Sequence, residues 1–209
     1  MNVLDKLATS LNRRDETPNQ QLAQNIVNKK DKNAIKELVQ NLNNKDKNIQ
    51  SDCIKVLYEI GKREPAFIAP YVKEFLPLLE STNNRLVWGA MTALDMITAE
   101  KPKEVYSVLS TLMEIAAEGS VITRDHYVGI LIKLTGMKQY TSKTFPLFIE
   151  QLKECPTNQL PMYAEQGMGI IHNSNKKMFI QALLGRLDDM EKESKRKRVE
   201  RVIKKIQTT

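Results

Sequence analysis

Cysteine, histidine and tryptophan are almost missing from this chain, which carries two, two and one of them in 209 residues. Cys53 and Cys155 have no ligand-forming neighbours, so neither a disulfide framework nor a C-x-x-C metal site can be built on them. Cys53 falls on an apolar stripe and is expected to be a buried free thiol. His126 and His172 are 46 residues apart, and neither has a Cys or a second His at metal-ligand spacing. The sequence also lacks G-x-S-x-G, G-x-G-x-x-G, H-E-x-x-H and P-loop patterns. No apolar run approaches the ~18 residues a membrane-spanning helix needs. The opening MNVLDKLATSLNRRDE places Asp5 and Lys6 inside its only apolar region, unlike a secretory signal, so a cytoplasmic location is expected. These absences predict a chain with no catalytic residues, no metal and no cofactor, and not an enzyme.

What is present is a repeat. Residues 48–172 recur at a spacing of 37. Leu57, Leu94, Leu131 and Met168 share one position, and Ile60, Ile97, Leu134 and Ile171 share another three residues on. Cys53, Ala90, Tyr127 and Ala164 lie four residues before the first set. Those offsets fall on one side of a helix, so each copy presents the same apolar stripe. A helical unit repeated at fixed spacing buries that stripe against its neighbours and builds a solenoid.

Each copy divides into two helices. The clearest runs from Ile49 to Lys62, ends at Gly61, and restarts at Pro65 with Phe67, Ile68, Tyr71, Val72, Phe75, Leu76 and Leu79 at helical spacing. The next pairs Asn84–Ala99 with a helix opening at Pro102. The third pairs Val121–Thr135 with Ser142–Glu154, and the fourth Leu160–His172 with Lys176–Leu187. Upstream, Gln20–Val27 and Asn33–Leu42 form a degenerate copy, where ten Asn in the first 50 residues weaken helix propensity. Val3, Leu4, Leu7 and Leu11 predict a short capping helix. The expected organisation is one domain over 1–209: a cap over 1–16, repeats over 17–190, and a basic helix over 191–209.

Paired helices, a stripe ending near Gly61, a Pro opening the second helix and units in the upper thirties resemble the HEAT/armadillo superfamily over about residues 17–190. The resemblance implies an all-α, right-handed α-solenoid (superhelix) of about five antiparallel helix pairs. It also implies that second helices line the concave side and that the fold serves as a scaffold or adaptor. Function, however, must come from the site rather than the fold.

Protein–protein recognition through that concave surface is the first expectation. Its candidate contacts are Lys73, Glu74, Ser107, Ser110, Thr111, Glu114, Glu150 and Lys177, together with Trp88. Trp88 stands where other copies have Ser51, Asp125 and Met162, so its position does not demand a large apolar group; it either plugs a gap between adjacent units near Met91 or serves as an interface anchor. Asp95, where others carry Tyr58 and Ile132, is similarly anomalous. The pair invites comparison with HEAT-like alkylpurine DNA glycosylases, but the spacing of seven and Thr92 four residues after Trp88 do not match that pattern. Gly167-Met168-Gly169 falls inside a helical pattern and reads as close packing or local weakness, not as a phosphate cradle.

Charge supplies the alternative. Of the net +7, the segment from Lys192 onward holds eight basic and two acidic residues, leaving the body near neutral. Val199, Val202, Ile203 and Ile206 make this segment an amphipathic helix suited to covering the open end of a solenoid. Its other face, Lys195, Arg196, Lys197, Arg198, Arg201, Lys204 and Lys205, is the candidate surface for nucleic acid or another polyanion.

Overall fold

The computed structural model describes residues 2–208, which are helical with no strand among them. Its contacts divide the chain into two compact units, one ending at Tyr127 and the other beginning at Val128.

The first unit contains α1 (Thr17–Lys29), α2 (Lys32–Gln40) and α3 (Lys47–Arg63), with α1 and α2 occupying the degenerate copy. It continues through α4 (Pro65–Ile68), α5 (Val72–Phe75), α6 (Asn84–Ile97), α7 (Pro102–Ser107) and α8 (Leu109–Glu118), and ends inside α9 (Val121–Thr135). α2, α3 and α6 start where a side chain satisfies an orphan N–H. Asp31 accepts from the Ala34 amide at 3.0 Å, Asp46 from Asn48 at 2.8 Å and Asn83 from Arg85 at 3.1 Å. Cys53, Leu57 and Ile60 of α3 and Ala90, Leu94 and Ile97 of α6 are all fully buried, so the repeated stripe is the core. α3 packs against both α1 and α6. Gly89 permits the second contact, because a Cβ there would collide with Ile54.

Three local expectations are corrected here. Gly61 does not end its helix: α3 continues to Arg63, and no glycine has positive φ among the described residues. Its role is close approach, since a Cβ would lie 2.5 Å from Ile68 Cδ1. The second helix of this copy is broken into α4, a 3-10 turn at Ala69–Tyr71, α5 and a second 3-10 segment at Leu76–Glu80. Pro70 and Pro77 have no N–H to give to a preceding carbonyl and sit in those two turns. Burial survives the breaks, with Ile68, Val72, Phe75, Leu78 and Leu79 all inside. The N-terminal cap is a single 3-10 turn, Val3–Lys6, which ends where Leu7 becomes extended (ψ 151°); Asn12 further on takes the left-handed conformation (φ 54°). Val3 and Leu7 are buried, while Leu11 is 51% exposed.

The corresponding segment of the next copy breaks without proline. Ser107 donates its hydroxyl to the Glu104 carbonyl at 2.7 Å, and the Val108 amide turns to Val105 O at 3.3 Å instead.

The second unit holds the remainder of α9, α10 (Lys138–Glu154), α11 (Leu160–Gly167), α12 (Lys176–Leu184) and α13 (Glu193–Thr208). The expected helix Leu160–His172 stops early: a 3-10 turn covers Met168–Ile170, and Ile171 is extended. Gly167 is needed where α11 meets Phe148, whose ring a Cβ would strike; Gly169 has open space around it. Asn175 then fixes the chain, accepting from the His172 amide at 2.7 Å and donating to Ile170 O at 3.1 Å. Ala164 stays buried, but Met168 and Ile171 are only half-buried, so the fourth copy carries an incomplete stripe. α13 lays Val199, Val202, Ile203 and Ile206 into the core against α11 and α12.

Candidate partner-binding groove

α3 and α6 each carry a second set of positions off the core stripe, several of them buried, and the repeat places the same positions on both. Asn48, Ser51, Asp52 and Lys55 of α3 recur as Arg85, Trp88, Gly89 and Thr92 of α6, each 37 residues later. These residues, with Tyr58 of α3 and Ile122 of α9, line a groove of about 720 Å³ within the first unit. Its remaining wall is the N-terminal segment: Ala8, Thr9, Asn12–Glu16 and Asn19.

Buried polar contacts hold that wall. Asp52 accepts from the Thr9 amide at 2.7 Å and from the Asn19 side chain at 2.8 Å. Asn19, itself buried, accepts from the Ala8 amide at 3.0 Å. Asn83 caps α6 and also reaches α3, donating to Ser51 Oγ at 3.3 Å and Gln50 Oε1 at 3.4 Å. The two groove-lining helices are thus tied to each other and to the wall.

The charges at one end form a network. Lys55 Nζ lies 2.6 Å from Glu16 and 3.2 Å from Glu59, and 4.8 Å from the centre of the Tyr58 ring. Burial opposes the Lys55 charge, but hydrogen bonds with Glu16, Tyr58 and Glu59 outweigh it and hold the ammonium above its ordinary range. Burial also opposes the Glu59 charge, yet Arg63, Lys62 and Lys55 bring that carboxyl down to about 2. Arg13 pairs with Asp15 at 2.7 Å, and that guanidinium, helped by the Thr17 amide, holds Asp15 well below the usual carboxylate range.

Trp88 lies half-buried on the groove. The other expected contacts lie elsewhere. Lys73, Glu74, Ser107, Ser110 and Glu114 are exposed and Thr111 half-buried, on the broken second segments of the first unit; none lines the groove. Glu150 and Lys177 are exposed on α10 and α12 of the second unit. Tyr58, Arg85 and Arg14 belong to no motif, although the repeat register that singles out Trp88 also carries the first two. Asp95 is buried and receives His126 Nδ1 at 2.8 Å, which explains a carboxylate where other copies carry Tyr58 and Ile132. His126 is therefore half-buried and partnered rather than a plain surface group.

The basic face of α13 is largely engaged within the second unit. Arg198 grips Glu165 with two bonds of 2.8 and 2.6 Å, and Lys195 reaches the Asn158 side chain at 2.6 Å. Arg196 meets Glu200 at 3.2 Å, and Lys197 meets Glu193 at 3.3 Å. Arg201, Lys204 and Lys205 are exposed. Burial and the neighbouring charges of Asp52 and Glu37 push the Cys53 thiol up to about 12, leaving it protonated. No group of three or more His, Cys, Asp or Glu able to hold a metal occurs among the described residues. No described helix is long and apolar enough to cross a membrane.

No protein-family model matches the sequence, and no curated protein matches it. Solved structures do. An engineered protein superposes with a TM-score of 0.63 at 18% identity, each chain covered completely. Computationally designed armadillo repeat proteins for modular peptide recognition give 0.67 at 13% identity over 98% of each chain. A designed armadillo repeat protein in complex with the peptide (KR)4 gives 0.67 at 14%, over 97% of this chain and 98% of that one. The chain has the armadillo/HEAT-like helical-repeat fold.

Proposed function

We propose that this protein is a non-enzymatic binding module that takes an extended segment of a partner protein into the groove of its first unit. One observation carries the proposal: Trp88, the sole tryptophan of the chain, is only partly buried on a groove whose helices and wall are already cross-tied. Tryptophan in a preformed concavity is a favoured interface anchor, and a groove ordered in advance lowers the entropy cost of association. The peptide-recognising designs of the same fold support a segment rather than a small molecule as the guest.

Parallel affinity capture with the native chain and with Trp88→Ala tests the role. Trp88 is partly buried, so thermal melts of both baits are run beside the capture to show that each is folded under the capture conditions. Proteins retained by the native chain should be lost from the variant. Equal recovery on both baits would overturn the proposal.

A further inference from the structure

The groove contains both signs of charge, but its carboxylates are already satisfied. Asp52 is engaged by the Thr9 amide and Asn19, Asp15 by Arg13 and the Thr17 amide, and Glu16 by Lys55. Those pairings also engage two of the four lining cations, Arg13 and Lys55. The other two, Arg14 and Arg85, make no side-chain hydrogen bond or ion pair with any described residue, and both are exposed. Arg85 stands in the first turn of the 14-residue α6, where the helix dipole adds to the attraction for an anion. The same groove is lined by the apolar surfaces of Trp88, half-buried, and Ile122, 45% exposed.

Within the peptide-binding role proposed above, we infer that the groove selects an acidic segment: carboxylate side chains on Arg14 and Arg85, and an apolar side chain against Trp88 and Ile122. Arginine presents a planar fork that fits a carboxylate through two parallel bonds, and an unpartnered guanidinium lining a groove is free to receive such a guest. A basic guest such as the (KR)4 peptide of the designed complex has the wrong sign for these two groups. A nucleic-acid strand fits less well. Two free cations are few for a polyphosphate.

The test titrates the intact protein with three short peptides built on one Ser-Leu framework, carrying Glu, Gln or Lys at the same positions, and with single-stranded oligo-dT. Trp88 fluorescence reports occupancy of the groove, and anisotropy of a label on each ligand reports binding. The Glu peptide should bind about tenfold or more tightly than the Gln peptide, with a shift in Trp88 emission and weakening as salt rises. Arg85→Gln and Arg14→Gln should each cost about tenfold for the Glu peptide and leave the Gln peptide unchanged, with Arg85→Lys recovering part of the loss. Their thermal melts should match that of the native chain, since neither side chain is buried or paired. Equal binding of Glu and Gln peptides with the Trp88 shift would overturn acid selection while leaving the groove as the binding site. Tighter binding of the Lys peptide or of oligo-dT, or no binding by any peptide, would overturn the inference. The Trp88→Ala capture comparison decides the broader role separately.

Discussion

Glu59 is nearly enclosed, with Lys62 and Arg63 each at 2.9 Å and Lys55 at 3.2 Å, and its carboxyl falls from the ordinary 4.5 to about 2. A depressed folded value means that the ionised form stabilises the native state. The contribution is complete above the unfolded value near 4.5 and is lost as pH falls through about 2. Thermal melts from about pH 6 down to about pH 2 should therefore show the native chain losing its advantage over Glu59→Gln across that window. A constant gap at every pH would show that the carboxylate is not coupled to folding. Core positions give a second measure. Leu57 is fully buried at a repeated site, so Leu57→Ala should cost about 2–5 kcal/mol in urea unfolding. Met168 holds the same repeat position in an incomplete copy and is half-buried; Met168→Ala should cost less than about 1 kcal/mol.

Among the elements, α10 ends on a device with no signature in the local sequence. Arg186 donates to the carbonyls of Leu152, Lys153 and Cys155 at 2.9, 2.6 and 3.0 Å, satisfying the last turn from more than thirty residues away. Arg186→Met keeps much of the side-chain volume and removes all three bonds, so it should lower stability by about 2 kcal/mol, read by urea denaturation. The paired helices and their stripe were legible because burial imposes the same offsets on every copy. The breaks were less so. Pro70 and Pro77 stood in plain view, yet the apolar spacing around them reads as one helix, because short 3-10 turns keep Ile68, Val72, Phe75 and Leu79 on the buried side. Gly61 misled for a different reason: a glycine that admits a neighbour's side chain looks, in one dimension, like a glycine that ends a helix.

At the scale of the molecule, α13 is where charge and burial give different messages. Its basic run suggests a polyanion surface, but Lys195, Arg196, Lys197, Arg198 and Arg201 contact groups of the second unit, and the apolar stripe lies in the core. Truncation before residue 191 should expose the surfaces of α11 and α12 that α13 covers, raising binding of a hydrophobic dye and lowering the melting temperature. Replacing Arg201, Lys204 and Lys205 together with Ala should do neither, as their side chains are exposed. The groove was only partly readable from sequence. Trp88 stood out by comparison between copies, but the resemblance directed attention to second helices, whereas the lining comes from the first helices and from an N-terminal wall held by Asp52 and Asn19.

The register that joins α3 to α6 separates two kinds of inheritance. Asn48, Arg85 and Ile122 occupy one outward position in successive copies, sampling an amide, a guanidinium and an alkyl group, while Leu57, Leu94 and Leu131 stay identical beneath them. Specificity can therefore be rewritten letter by letter on a scaffold indifferent to the change, so duplication of a single unit lengthens the readable text without redesigning what supports it.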